Sequence, residues 1–276
     1  MRRPTAVLAA AAGMATCLLA GMLTAAPAAA QDTPAARALG YLLTLQSSDG
    51  SIDPSSPAAP RPTQEETADT VLGAVALARK PNSLHVAAGA SALDYLAAHS
   101  VGLTPESADA AAAPTAQVIL AMVAAGMNPR RVGDGGLDLV RRLEVQDKSD
   151  HIYGFGDTRA QAFGLLAEVA SGTPVDAAAA ARLRAMQNPD GSWNEGVSAG
   201  APGDTNATAM AVMALMAAEH TLPRHAQLLA YLHVTQNLDG GFPEHKPAAD
   251  GDTNSNPLSD GLVIQALVSL GQDPGR

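Results

Sequence analysis

One short pattern returns along this chain and limits its fold more than any other feature. Gln46-Ser-Ser-Asp-Gly50-Ser-Ile52 comes back as Gln187-Asn-Pro-Asp-Gly191-Ser-Trp193 and as Gln236-Asn-Leu-Asp-Gly240-Gly-Phe242. A looser copy runs from Gln146 to Phe155, and an eroded one follows Tyr95-Leu96, with Ser100 at the Gln position. Copies at intervals of roughly 50 residues mark a repeat architecture, in which each unit buries its apolar face on its neighbours. A second element closes the units: Ile119-Leu-Ala-Met-Val-Ala-Ala-Gly-Met-Asn-Pro129 matches Ile264-Gln-Ala-Leu-Val-Ser-Leu-Gly-Gln-Asp-Pro274.

Each unit predicts two helices. The first carries an apolar stripe at helical spacing, as in Leu39, Leu42, Leu43 and in Leu228, Leu229, Leu232. It stops at the Asp-Gly pair, where Gly takes the left-handed conformation that ends a helix. The second follows an Asp-Thr start suited to N-capping. It is apolar on nearly every face, as in Thr208–Ala218, and therefore buried on every face. Prolines 129, 174, 223 and 274 supply the stops. Five units follow, at 33–80, 83–129, 135–174, 175–223 and 224–274. Nothing strand-like competes, so the fold class is all-α. Repeated hairpins of this kind either stack into an open solenoid or close into a ring, and periodicity leaves both open.

Composition narrows the function classes. The chain is 47% hydrophobic and 16% charged, too apolar for disorder. Its net charge is −10, from 17 basic and 27 acidic residues. An acidic chain with no basic cluster does not suit nucleic acid, where affinity rests on neutralising phosphates. Met1-Arg2-Arg3, the apolar stretch over 5–25 and Ala28-Ala29-Ala30 before Gln31 form the three parts of a secretory signal. We therefore expect residues 1–30 to be removed, leaving 31–276 as an exported protein with no membrane anchor. The one cysteine, Cys17, leaves with the leader. No disulfide, thiolate nucleophile or Cys-ligated zinc remains.

The first unit reads Arg37-Ala38-Leu39-Gly40-Tyr41-Leu42, then Gln46, Gly50 and Ile52. This resembles the Gln-Trp repeat of squalene and hopene cyclases, with Ile in place of the terminal Trp. Tyr231-Leu232, Gln236, Gly240 and Phe242 match its core, and Leu183, Gln187, Gly191 and Trp193 match with the Trp present. The resemblance implies the α/α-toroid of the prenyltransferase/squalene-cyclase superfamily, shared by terpenoid cyclases, protein prenyltransferase β-subunits and cobalamin carriers. That fold has six helix pairs where this sequence shows about five, so a smaller, open or incomplete ring is expected. Gln46, Gly50, Gln187, Gly191, Trp193, Gln236, Gly240 and Phe242 are then structural. A Gln at a helix end, with donors and an acceptor, ties loose ends to the next unit, and the aromatic covers it.

The signatures of catalysis are missing. Class II cyclases protonate an alkene with an Asp-x-Asp-Asp acid. Here the nearest match is Asp250-Gly251-Asp252-Thr253, and it repeats as Gly203-Asp204-Thr205-Asn206 and Gly156-Asp157-Thr158, which favours capping. One Trp, four Tyr and three Phe are a thin supply for cradling carbocations. No His pair stands at metal-ligand spacing, and Asp250-x-Asp252-x-Asn254 lacks the Gly and Glu of a calcium loop. No metal or cofactor is expected, and the enzyme reading, with Asp250 or Asp252 as general acid, is the alternative.

Binding remains. Inner-helix Gln117, Gln161 and Gln265 either face a central cavity or bond a neighbouring helix. Met210, Met213 and Met216 form a core stripe or line a pocket. Asp69, Asp157, Asp204 and Asp252 stand before inner helices and predict an acidic rim that is solvated or meets a cationic or polyhydroxylated ligand. Candidate ligand-binding residues are thus Gln117, Gln161, Asp204, Asn206, Asp252, Asn254 and Gln265. The expected partner is a hydrophobic or amphipathic small molecule, a corrinoid by the likeness to cobalamin carriers, or a second protein chain or domain.

Overall fold

A computed structural model describes residues 33–52, 64–77, 79, 84, 89–100, 112–146, 151–196, 201–245 and 254–274. Residues 1–30, and with them the expected leader, lie outside these, as do Asp250 and Asp252. The described residues form ten helices and only isolated β-bridges, so the protein is all-α. Two helices fall in each expected unit. They are α1 (Pro34–Thr44) and α2 (Gln64–Ala76), α3 (Ala92–His99) and α4 (Ala112–Ala124), α5 (Leu139–Gln146) and α6 (Thr158–Ser171), α7 (Ala177–Ala185) and α8 (Thr205–Glu219), and α9 (His225–Thr235) and α10 (Pro257–Ser269).

The helices form two compact units. The first runs to Val145 and takes in Ala170–Thr173. In it α2 packs on α1, α3 and α4. The second comprises Gln146–Val169 and the chain from Pro174 onward. In it α8 packs on α7 and α10.

Short polar side chains start the helices. Thr33 caps α1 by accepting the Ala36 N–H at 3.1 Å, and Pro34 sits where no donor is needed. Ser91 and Asp94 form a reciprocal capping box at α3. Asp176 accepts the Ala178 N–H to start α7. The second helix of each pair is the core element: Ala209, Ala211, Val212, Ala214 and Leu215 of α8 are all buried.

The repeated glycines adopt the expected left-handed conformation, with φ of 91°, 90° and 88° at Gly50, Gly191 and Gly240. They close a tight turn rather than cap a helix. The preceding helices end earlier, at Thr44, Ala185 and Thr235. In each turn the Gly N–H donates to the carbonyl three residues back, and the Asp before Gly accepts the N–H that follows it. Gln46, Gln187 and Gln236 each donate to the carbonyl of the turn glycine, at 3.0, 2.9 and 2.8 Å. Gln46 also reaches forward to the Leu84 carbonyl at 2.9 Å.

A further tie joins four of the turns to their own second helices. The backbone N–H of Ile52, Tyr153, Trp193 and Phe242 donates to Thr67, Gln161, Thr208 and Asp260 at 3.1, 3.2, 2.9 and 2.6 Å. Each acceptor is the fourth residue of its helix. Polar residues in otherwise apolar helices are thereby satisfied, and the turn is locked over the helix start. Trp193 is fully buried and donates its indole N–H to the Leu183 carbonyl of α7 at 2.7 Å.

Three local expectations change. The looser third copy uses Tyr153, not Phe155, as its covering aromatic: Tyr153 is buried and bonded to Glu168 at 2.7 Å, while Phe155 is exposed. Asp69 does not precede a helix, because α2 begins five residues earlier at Gln64, where Glu65 and Glu66 suit the positive helix end. The cap of α10 is Asn256, followed by Pro257, rather than Asp252. Asn256 accepts the Leu258 N–H at 2.9 Å.

Candidate functional site

Within the second unit, the starts of two core helices are stitched side by side. Thr158, first residue of α6, donates its N–H to the Glu195 carbonyl at 3.2 Å and its hydroxyl to the Asn194 carbonyl at 2.6 Å. Thr205, first residue of α8, donates its N–H to the Glu244 carbonyl at 2.8 Å. Asp204 donates its N–H to the Trp193 carbonyl at 2.8 Å. The result gathers Glu195, Asp204, Asn206, Glu244 and His245 at the N-terminus of α8. The repeat builds this rim, because the same turn-to-helix tie is used in successive hairpins.

Asp204 is nearly buried. One carboxylate oxygen caps α8 by accepting the Ala207 N–H at 2.5 Å, and the other faces His245 Nδ1 at 2.9 Å. Burial pushes its pKa upward. The Ala207 N–H and His245 oppose that rise, and the Glu195 and Glu244 charges add to it. Ligand atoms of Asp204, Glu244 and His245 lie within 4.8 Å of one another. The sequence reading assigned no metal here. The trio was hidden because its members come from two different repeats. Asp, Glu and His are donors able to hold a divalent cation, and equally able to receive an ammonium or hydroxyl group.

Asn206 lies two residues into this rim, buried, and its carbonyl oxygen Oδ1 has no hydrogen-bond partner among the described residues. A buried acceptor left empty is costly, so such a group usually meets a donor.

The other candidates separate. Gln161 is fully buried and spent on structure. Its amide nitrogen donates to the His151 and Ala179 carbonyls, both at 3.1 Å, and its oxygen accepts from Tyr153. Gln117 is buried and donates to Asp69 at 3.2 Å, across the α2–α4 contact. Gln265 is exposed and bonds locally to the Gly261 carbonyl at 3.3 Å. Asn254 is exposed, and Asp252 lies outside the described residues. Of the six described candidates, only Asp204 and Asn206 are brought together in one site. Met213 is buried in α8, whereas Met210 and Met216 are half-buried, as befits the side of a core helix.

The first unit holds a concavity of about 610 Å³ beside α3. Leu93, Ala97, Met122 and Val132 give it an apolar floor, and Asp94 and Arg131 stand among its polar lining. None of the sequence-predicted residues lines it. No helix among the described residues is long and apolar enough to cross a membrane.

The fold and this rim define an all-helical protein of repeated hairpins with a polar site at the start of α8. No family model and no curated protein matches the chain.

Proposed function

We propose that the chain is a secreted, non-catalytic repeat protein of the prenyltransferase/squalene-cyclase type, a five-pair α/α-toroid that binds an amphipathic ligand by its polar end at the α8 rim. The observation that carries this reading is the buried Asn206 Oδ1, which has no hydrogen-bond partner among the described residues and stands two residues along the chain from Asp204, the partner of His245. A ligand with a hydroxyl, amide or ammonium donor completes that acceptor, and the carboxylates of Glu244 and Asp204 favour a donor of positive charge. The polar side chains at the fourth position of α2, α6, α8 and α10 are already occupied by the turns. That supports a binding role over a catalytic one. Export is supported by the three-part N-terminal pattern in residues 1–30.

The test is native mass spectrometry of the protein secreted by its own host, then offered corrinoids and polyprenyl compounds. A retained adduct that Asn206→Leu abolishes supports the reading. An adduct that survives Asn206→Leu removes the rim from it. A mass-shifted product in solution supports the alternative, a cyclase-like enzyme with Asp250 or Asp252 as acid. A protein that retains nothing, and appears only with another chain, makes the partner a protein.

A further inference from the structure

The start of α8 carries more negative and acceptor groups than a helix end uses. Asp204 alone supplies the cap, through the oxygen that accepts the Ala207 N–H. Its second oxygen, Oδ2, is left to face His245 Nδ1 at 2.9 Å. Glu195 and Glu244 add two carboxylates close enough for their charges to act on Asp204. Among the described residues none of these three carboxylates pairs with a Lys or Arg. In the same first turn the buried Asn206 Oδ1 has no donor among the described residues. What this end of the helix lacks is positive charge.

The backbone fixes where the donors stand. Asp204 and His245 form an isolated antiparallel bridge, and Thr205 donates its N–H to the Glu244 carbonyl at 2.8 Å. Glu244 and His245 are exposed and Asp204 is nearly buried, with one ligand atom of each within 4.8 Å of the others. Bonds of about 2.0–2.2 Å to one tetrahedral ion set its ligand atoms roughly 3.3–3.6 Å apart. Rotations of the two exposed side chains suffice to close the set, with no movement of the backbone.

We propose that Asp204, Glu244 and His245 hold a Zn²⁺ ion that staples the fourth hairpin to the fifth. The imidazole selects the metal. Ca²⁺ and Mg²⁺ take oxygen donors, whereas a ring nitrogen beside carboxylates suits zinc. Three protein ligands leave the fourth tetrahedral position to water. The Ala207 N–H then serves as the outer contact that orients a ligating carboxylate. The site does not depend on the amphipathic ligand. On the reading proposed above, the cation takes the carboxylates, and a ligand's hydroxyl or amide is left to Asn206.

The experiment uses the purified protein, cleared of metal with a chelator, dialysed, and titrated with zinc chloride in a calorimeter. No amphipathic ligand is present, so failure here leaves that reading standing, and failure of that reading leaves this result untouched. We expect one zinc per chain and a melting temperature that rises with zinc concentration. Glu244→Gln and His245→Ala alter exposed side chains and spare the backbone ties, so circular dichroism should match the parent. Each should weaken zinc by at least about tenfold, the loss that removal of even an outer contact brings. His233→Ala, at an exposed histidine of α9 outside the cluster, should leave binding unchanged. A parent that binds no zinc overturns the proposal, as does zinc retained equally by Glu244→Gln and His245→Ala. Displacement of zinc by an equal concentration of Ca²⁺ also overturns it.

Discussion

The Thr208 hydroxyl lies 2.9 Å from the Trp193 backbone nitrogen and 3.2 Å from the Trp193 carbonyl oxygen, engaging both polar groups of one residue in a buried site. It fastens the turn bearing the only Trp to the helix that carries the candidate site.

Thr208→Val keeps the shape and leaves the Trp193 N–H unsatisfied. The expected loss is about 1–3 kcal/mol of stability. Thr208→Ser restores most of it. Denaturant melts check this, and a Val variant as stable as the parent would show that the tie carries no weight.

Trp193→Ala removes a fully buried ring and its indole hydrogen bond to α7. Cavity formation at this size costs about 3–5 kcal/mol. Trp193→Phe recovers the packing but not the bond to Leu183, and falls between the two. Thermal unfolding followed by circular dichroism ranks the three proteins.

Gly191→Ala and Gly240→Ala separate backbone strain from crowding. Both glycines hold positive φ, so each substitution costs about 1–2 kcal/mol on that account. Only Gly191 also meets the start of the next helix, adding about 1–3 kcal/mol of overpacking. In denaturant melts Gly191→Ala should be clearly the worse. Equal losses would contradict the close approach of Gly191 to the Leu228 backbone of α9.

Asp204 supplies a pH dependence. Its proton affinity is raised in the folded state above the ordinary value of 3.8, chiefly by burial. For a raised carboxyl the favourable contribution is complete below the unfolded value and is lost as pH rises through the folded value. Asp204→Asn keeps a cap acceptor and removes the ionisation. The melting temperature of the variant relative to the parent should therefore climb from acid to neutral pH. A difference that is flat with pH, or falls, rejects the assignment.

Gln161→Ala and Asn206→Leu should part company. Gln161 spends its amide on three backbone groups, so its loss lowers stability without a specific effect on ligand retention. Asn206 has no partner for its oxygen among the described residues, so its loss spares stability and weakens the ligand. Paired melting and binding measurements distinguish these outcomes, and the reverse pattern would move the site to Gln161.

Much of this architecture is written in local patterns. Two helices per unit follow from apolar spacing, and the positive φ of Gly50, Gly191 and Gly240 follows from Asp-Gly placement. The helix starts were harder to place. The α10 cap fell to Asn256 because Pro257 stands one residue later and suits the first helical position, a stronger signal than Asp252-Thr253. Tyr153 displaced Phe155 because its N–H reaches Gln161, a contact between a loop and a helix that periodicity does not encode. The fourth-position ties were visible only as polar interruptions at Thr67, Gln161, Thr208 and Asp260, and aligning the repeats on helix starts would have exposed them. The Asp204–Glu244–His245 cluster joins neighbouring repeats, so no spacing within one repeat announces it.

The ties have a kinetic consequence. Their partners are 15 residues apart for Ile52 and Thr67, 15 for Trp193 and Thr208, 18 for Phe242 and Asp260, and 8 for Tyr153 and Gln161. Closing loops this short costs little chain entropy, and contacts of low sequence separation form early. Each of these four hairpins is thus able to nucleate from its own stretch of polypeptide, which gives folding several starting points.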